Sequence, residues 1–272
     1  MAQAHVTVRD VEVPAIGLGT FRLQGRACTR VVRDALEMGY RHVDTGEFYE
    51  NHTHVGEGIR TSGVGRDEVF LTTKIWKTNL AFDDVLDSTA RSLEALGTTY
   101  VDLLLVHWPN ETIPIEETMA AMNRLQEEGR VRHVGVSNFS VKQLAEAIDA
   151  SSHPLLTNQV KYNPYVDRND LLEACADHDL LCTAYSPLAK GAVLTDDVLA
   201  DIGTRYGKTP AQVALRWLVQ QDRAIAIPKA SSRDHLEENL DVFDFELTAS
   251  EMDQLFDHSR GLLATVRNLV GL

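Results

Sequence analysis

Cysteine is scarce in this chain of 272 residues: Cys28, Cys175 and Cys182 are the three, and no two of them form a C-x-x-C pair. A disulfide framework and a cysteine-built zinc site are therefore not expected, and a reducing cytoplasm is the default compartment. Long apolar runs are missing too; none approaches the roughly 18 residues that a membrane-spanning helix requires. The opening residues, Met1 to His5, lack the basic and apolar regions of a secretory leader. Positive charge is in deficit, with 26 Lys and Arg against 40 Asp and Glu and a formal net charge of −14. Nucleic acid is excluded as a partner, because neutralising phosphates takes a basic face. Lysine is scarcer than arginine, and such an acidic surface suits either an ordinary cytoplasmic protein or one kept soluble at high salt.

Two further absences bear on the fold. No stretch rich in Pro, Gly or Ser divides the chain, so one domain over 1–272 is expected. No G-x-G-x-x-G follows a strand: Gly17-Leu18-Gly19-Thr20-Phe21-Arg22 lacks the third glycine. A doubly wound dinucleotide-binding domain needs that run at its first turn.

What is present is alternation. Val101-Asp102-Leu103-Leu104-Leu105-Val106 is too short for a helix and too continuously apolar for a half-exposed strand. It reads as a strand buried on both faces, as in a parallel sheet covered by helices. His5–Val8 and Val11–Val13 flank Arg9-Asp10 as a small hairpin. Strand-like segments follow at Ile16–Thr20, His42–Thr45, Val69–Lys74, Val131–Val136, Leu155–Val160, Leu181–Tyr185 and Ala224–Ile227. Between them lie helical patterns at Thr29–Met38, Val55–Arg60, Asp83–Leu96, Ile115–Glu128, Ser140–Ala150, Leu171–Ala176 and Pro210–Gln220, with a last one at Ala249–Asp257. Gly97 stops one helix, Ser140 caps another and Pro210 opens a third. About eight such β→α units in a chain close to the roughly 250 residues of a single α/β barrel favour one barrel over a doubly wound sheet.

The carboxyl ends of barrel strands share one mouth, where chemistry sits. The residues there are Asp44, Lys74, His107, Ser137 and Asn138, Gln159, Tyr185 and Ser186, and Lys229. A buried lysine needs a partner, and Asp44 is the natural one for Lys74; a plain ion pair closing the barrel would explain these two alone. Tyr49 lies five residues beyond Asp44. A phenol is too weak an acid for neutral pH, and a neighbouring ammonium is expected to lower its pKa and make it a usable proton donor. With Asp44 orienting Lys74 and His107 donating to an oxygen on which charge builds, the set suits reduction of a carbonyl, given a hydride source.

The segments Gly17-Leu18-Gly19-Thr20, Asp44-Thr45-x-x-x-Tyr49, Thr73-Lys74, His107-Trp108-Pro109, Gly135-Val136-Ser137-Asn138-Phe139, Ile227-Pro228-Lys229 and Glu238-Asn239-Leu240-Asp241-Val242-Phe243-Asp244-Phe245 resemble, in this order, the aldo-keto reductase superfamily. The resemblance runs from Ile16 to about Phe256 and is greatest to prokaryotic members of the 2,5-diketo-gluconate reductase type. It implies a (β/α)8 TIM barrel with an N-terminal β-hairpin and a short C-terminal tail, a catalytic tetrad of Asp44, Tyr49, Lys74 and His107, and a nicotinamide cofactor. Ser137, Asn138 and Gln159 would hold its carboxamide, Tyr185 would stack on its ring, and Ser186 and Leu188 would line the pyrophosphate path. Lys229, Ser231, Arg233, His235 and Asn239 would lie around its far end. Phe21, Phe48, Trp76 and Trp108 would form an apolar wall around a small carbonyl substrate. Plain core packing remains the alternative for Tyr185, Leu188 and Phe21.

Two departures matter. Ala230 stands where members preferring the phosphorylated cofactor have serine, and His235 where they have arginine. An arginine fork grips a phosphate as histidine does not, so NADPH is expected with a weakened preference and NADH use is open; Ser231, Ser232 and Arg233 lie near enough to compensate. A short tail, Ser259 to Leu272, suggests an open site. His52-x-His54 is not expected to bind metal, since residues two apart on a helix do not face each other. The acidic cluster Asp83-Asp84 suits a helix start. Two other functions compete: a lyase using Lys74 as a Schiff-base nucleophile, and a cofactor-binding regulatory barrel with little turnover. The resemblance also implies a monomer.

Overall fold

The structure, a computed structural model, describes residues 4–257. Strands β1 (His5–Val8) and β2 (Val11–Pro14) pair antiparallel as the expected hairpin. Then come β3 (Leu18–Gly19), α1 (Gly25–Glu37), β4 (His42–Asp44), α2 (His52–Thr61), β5 (Phe70–Ile75), α3 (Phe82–Leu96), β6 (Val101–Val106) and α4 (Ile115–Glu127). They are followed by β7 (Val131–Ser137), α5 (Val141–Ala150), β8 (Leu155–Lys161), α6 (Asn169–Asp177) and β9 (Leu181–Tyr185). The chain continues through α7 (Asp197–Tyr206), α8 (Pro210–Val219), β10 (Ala224–Ala226) and α9 (Arg233–Leu240), and residues 249–257 are helical.

Strands β3 to β10 form one parallel sheet in sequence order. A parallel bridge between Ile16 and Ala226 joins its two edges and closes the barrel. Closure brings two backbones together, and Gly19 makes room: its N–H donates to Pro228 O at 3.0 Å, and a Cβ there would lie 2.8 Å from Ile227 O. The close approach that a strand glycine permits is thus made here by the backbone just beyond the last strand of the barrel.

The unbroken apolar run of β6 has two uses because successive side chains point to opposite faces. Leu103 and Leu105 join Leu156, Leu181 and Ile225 inside the barrel, where Val8 and Val13 of the hairpin plug the amino-terminal end. Leu104 and Val106 pack outward among Met119, Met122 and Leu125 of α4 and other helical side chains. His107, next in the same alternation as Leu103 and Leu105, therefore points toward the barrel axis at the open end.

Local signals act where expected. Ser140 caps α5 by accepting from Gln143 N at 3.3 Å, and the Gln143 side chain accepts from Ser140 N at 3.0 Å. Gly97 ends α3 in the left-handed conformation, φ 65°. The expectations differ at several ends. Helix α1 starts at Gly25 rather than Thr29, and α2 at His52 rather than Val55. The elements not expected are the 3₁₀ segments Glu47–Tyr49, Arg66–Glu68 and Ala189–Thr195, and helices α7 and α9. The tail Ser259–Leu272 lies outside the described residues.

Candidate active site

Because the strands are parallel, their carboxyl ends share one rim. Asp44 is the last residue of β4, Ser137 of β7 and Tyr185 of β9; Lys74 and Gln159 sit near the ends of β5 and β8, and His107 and Asn138 just beyond β6 and β7. Residues spread over the whole sequence thus meet, and hydrogen bonds knit them together.

Lys74 is at the centre. It is 1% exposed, and its ammonium donates to Asp44 Oδ1, to Thr45 O at 2.9 Å and to Tyr49 Oη at 3.2 Å. An ammonium has three hydrogens, and all three are committed. Burial alone would push the Lys74 pKa down, but Asp44 and Tyr49 together hold it above its ordinary value. Asp44 Oδ2 accepts from Gln159 Nε2 at 2.8 Å, so each carboxylate oxygen has a donor.

Tyr49 corrects one expectation. Lys74 does pull its pKa down, but burial outweighs that pull and Asp44 adds to the burial, so the phenol lies above its ordinary value of 10.0. The cause is desolvation of the phenolate, which residue spacing cannot reveal. His107 is driven the other way. Burial, reinforced by the Lys74 charge, takes its pKa from 6.5 to about 3, so the ring is neutral at ordinary pH.

Three aromatic side chains surround this pair. Phe21 lies 5.1 Å from the Tyr49 ring, Trp76 is edge-on to His107 at 5.2 Å, and Phe48 stacks on Trp76 at 4.1 Å with 18° between the planes. Phe21, Phe48 and Trp108 are 46%, 52% and 42% exposed. Trp108 is brought to the rim by its place after His107.

The other polar residues form a second group beside the tetrad. Ser137 Oγ donates to Gln159 O at 2.8 Å, Asn138 Nδ2 donates to His107 O at 2.9 Å and Ser137 Oγ at 3.0 Å, and Tyr185 Oη donates to Asn138 Oδ1 at 2.8 Å. Asn138 holds its side chain there with φ at 64°. Ser186, φ 50°, gives its carbonyl to Asn163 Nδ2 at 3.0 Å, and Leu188 packs partly buried against the core.

The residues around α9 are less concentrated. Lys229, Ser231, Arg233 and His235 are exposed, and Ala230 is buried. Ser232 caps the helix, accepting from His235 N at 3.3 Å. Arg233, expected to compensate for the missing arginine, reaches instead to Asp34 at 3.4 Å and Glu37 at 3.8 Å on α1. Asn239 is buried and hydrogen-bonds the Tyr40 side chain.

Sequence reasoning missed several residues that shape the site. Glu47 accepts from Trp76 N at 2.8 Å and Asn79 Nδ2 at 2.6 Å. Buried Asn51 donates to Thr20 O at 2.9 Å and Leu23 O at 3.1 Å and accepts from Thr45 Oγ1 at 2.7 Å, tying the loop that carries Phe21 to the one that carries Tyr49. His52 pairs with Thr73 Oγ1 at 2.8 Å, and burial and Lys74 take its pKa to about 4. Their one signal was proximity in sequence to Tyr49. Among the described residues, no group of three or more His, Cys, Asp or Glu could hold a metal ion, and no helix is long and apolar enough to cross a membrane.

The profile of the aldo/keto reductase family matches residues 15–260. The chain is 41% identical over 250 residues to the 9,11-endoperoxide prostaglandin H2 reductase of Trypanosoma cruzi, covering 90% of this chain and 88% of that protein. It is 40% identical over 242 residues to the methylglyoxal reductase DkgB of Escherichia coli O157:H7, covering 88% and 90%. A solved structure of a candidate 2,5-diketo-D-gluconic acid reductase B superposes with a TM-score of 0.92 at 43% identity, covering 94% of this chain and 91% of that one. This chain belongs to the aldo/keto reductase family, and its closed parallel barrel is the fold of that family.

Proposed function

We propose that the chain reduces the carbonyl of small aldehydes, ketones or keto-sugars to an alcohol, using NADPH with a weakened preference, and that Tyr49 gives the proton. The observation that carries this reading is the commitment of Lys74. Its third hydrogen points at Tyr49 Oη, so the phenol accepts from the lysine and keeps its own O–H for another partner. Among the described residues that O–H has no acceptor. A carbonyl oxygen entering between Tyr49 and His107, whose rings are 5.5 Å apart, would supply one.

Tyr49 and His107 divide the work. A neutral imidazole still offers one N–H, so His107 can polarise the carbonyl without competing for the transferred proton. Its pKa of about 3 keeps it in that form. Lys74 stabilises negative charge on Tyr49 Oη as the proton leaves, and Asp44 keeps Lys74 charged and aimed. The aromatic side chains exclude water from the space before Tyr49.

The site also fits a nicotinamide group. Tyr185 is half-buried beside Asn138, and Asn138, Ser137 and Gln159 present amide and hydroxyl partners suited to a carboxamide. Their internal bonds would be exchanged for bonds of the same kind, a nearly even trade. When bound, the reduced nicotinamide supplies the hydride. Ser186 and Leu188 would line its pyrophosphate path, with Lys229, Ser231, His235 and Asn239 at the far end. Ala230 and His235 offer no guanidinium to a phosphate, and Arg233 is engaged by Asp34 and Glu37; these features support the weakened preference. Relatives named as methylglyoxal, glyoxal and prostaglandin H2 reductases support the substrate class.

Fluorescence titration with NADPH and NADH, followed by carbonyl-dependent oxidation of whichever binds, tests the reading. Tyr49→Phe should lower kcat by about 10²- to 10⁴-fold, the contribution of a positioned general acid, with cofactor affinity unchanged. Cofactor binding without turnover of any aldehyde would favour the regulatory barrel. Covalent trapping of a carbonyl compound on Lys74 by borohydride would favour the lyase, which the fully committed, charged Lys74 argues against.

A further inference from the structure

The 3₁₀ turn Glu47–Tyr49 carries both Tyr49 and Phe48, and the loop after β5 carries Trp76. These segments lie far apart in sequence, yet the site depends on their spacing. Trp76 follows the last residue of β5, and its N–H has left the sheet ladder. Glu47 Oε2 accepts that N–H at 2.8 Å, while Oε1 accepts Asn79 Nδ2 at 2.6 Å. Asn79 N in turn donates to Trp76 O at 2.9 Å, closing the loop into a turn. One carboxylate therefore spans both ends of the Trp76–Asn79 turn. Directly beside it, Phe48 stacks on Trp76 at 4.1 Å, and the two rings stand edge-on to His107 at 6.4 and 5.2 Å.

We propose that Glu47 is a positioning residue: it locks the Tyr49 turn to the Trp76 loop and so sets how large a carbonyl substituent the site admits. The proposal rests on the reductase reading above, because it assigns the Phe48–Trp76 wall to the substrate. Glu47 is not placed to act on substrate itself, since each of its oxygens already holds a donor and its side chain is partly buried. Without it, the ties between the two segments reduce to the Phe48–Trp76 stack and the Lys74 bond to Tyr49 Oη. That last bond fixes Tyr49 but not the wall. Loss of Glu47 should therefore leave the chemistry of a small substrate intact and loosen the grip on a large one.

The test is a comparison of methylglyoxal with 4-nitrobenzaldehyde in Glu47→Ala and Glu47→Gln, with NADPH saturating. In Glu47→Ala, KM for the aromatic aldehyde should rise about tenfold, the equivalent of one lost hydrogen bond to a charged group. KM for methylglyoxal and kcat for both should stay within about twofold. Glu47→Gln keeps one carbonyl oxygen for one of the two donors and turns an NH₂ toward the other, so it should fall between. Asn79→Ala, which removes a partner from the opposite loop, should move the same KM in the same direction without touching Glu47. Equal losses on both aldehydes in all three variants would mean a merely structural role and overturn the proposal, as would unchanged KM values. Trp76→Ala is the control for the wall: if it leaves the aromatic KM unmoved, the wall does not touch substrate and the proposal falls. If the unaltered protein reduces neither aldehyde, it is the reductase reading that has failed.

Discussion

Replacing Asp44 by Asn leaves Lys74 buried with no counter-ion. Lys74 is 1% exposed, and beside Thr45 O and Tyr49 Oη it would find only a neutral amide oxygen, which could accept from its ammonium or from Gln159 Nε2 but not from both. Breaking a buried pair by removing one partner costs about 3–5 kcal/mol, a large share of the stability of a typical domain. Lys74→Met strands the Asp44 carboxylate with Gln159 as its remaining donor and should cost a similar amount. The double variant removes both charges and should recover most of the loss, giving a coupling of about 2 kcal/mol or more in a double-mutant cycle. The pH dependence fixes the sign. In the unaltered protein the folded Lys74 pKa lies above its ordinary 10.5, so the pair stabilises fully below that value and the gain is lost as pH rises through the folded pKa. In Asp44→Asn only Tyr49 is left to oppose burial, so the folded pKa should fall below 10.5, and the deficit should be greatest near neutrality and shrink toward pH 10. Urea denaturation at pH 7 and pH 10, with the slope m compared between variants, measures all of this. A deficit in Asp44→Asn below about 1 kcal/mol at pH 7 with unchanged m would refute the reasoning, because no buried pair is worth so little when broken.

Acid should destabilise the protein through its buried histidines. His42 and His52 titrate at about 4 and His107 at about 3 when folded, against 6.5 ordinarily. Lowered folded values mean that the unfolded chain binds more protons, so stability is lost as pH falls below 6.5 until each folded value is reached, roughly 3 kcal/mol each for His42 and His52. Denaturation midpoints from pH 7 to pH 4 should show a shallower fall in His52→Gln than in the unaltered protein; parallel curves would remove His52 from the account. At the cofactor end, His235→Arg should raise NADPH affinity about tenfold with NADH unaffected, read by fluorescence titration. Arg233→Ala should change either affinity less than twofold or so, because its guanidinium is turned to α1; a large loss of NADPH binding alone would show that Arg233 leaves Asp34 and Glu37 to hold the phosphate.

Much of the fold was legible because the barrel imposes strong patterns. A strand buried on both faces must read as an unbroken apolar run, and Leu103–Val106 does so because inward and outward positions are both in cores. Helix α7 went unread although Asp196 caps it and Leu199 and Ile202 stand at helical spacing, because it follows β9 through a 3₁₀ segment with Lys190 and Gly191 in left-handed conformations and so escapes a strict β→α count. Helix α9 carries only Leu236 and Leu240 as apolar positions among charged ones, too little for a periodic signal. At the site, strand ends located Asp44, Lys74, His107 and Gln159, because parallel topology turns sequence order into a shared rim. Glu47 and Asn51 could not be found in this way. Their work is to bond backbone and amide groups of other loops, and loop-to-loop distances are not written in any periodicity.

The Tyr49 pKa shows why burial has to be weighed against charge before a donor is assigned. From spacing, a neighbouring ammonium lowers the phenol's pKa. In the folded chain, burial works against the phenolate more strongly than Lys74 works for it, and Asp44 cancels part of the lysine's effect. A donor left with a raised pKa does not shed its proton to water at neutral pH, so it is loaded whenever a carbonyl arrives. In the proposed reaction, transfer would then depend on the charge that builds on the carbonyl oxygen, while Lys74, already bonded to Tyr49 Oη, would steady the phenolate that remains. On that proposal the Asp44–Lys74 pair serves as a stabiliser of Tyr49 after its proton has gone rather than as the agent that makes it acidic beforehand.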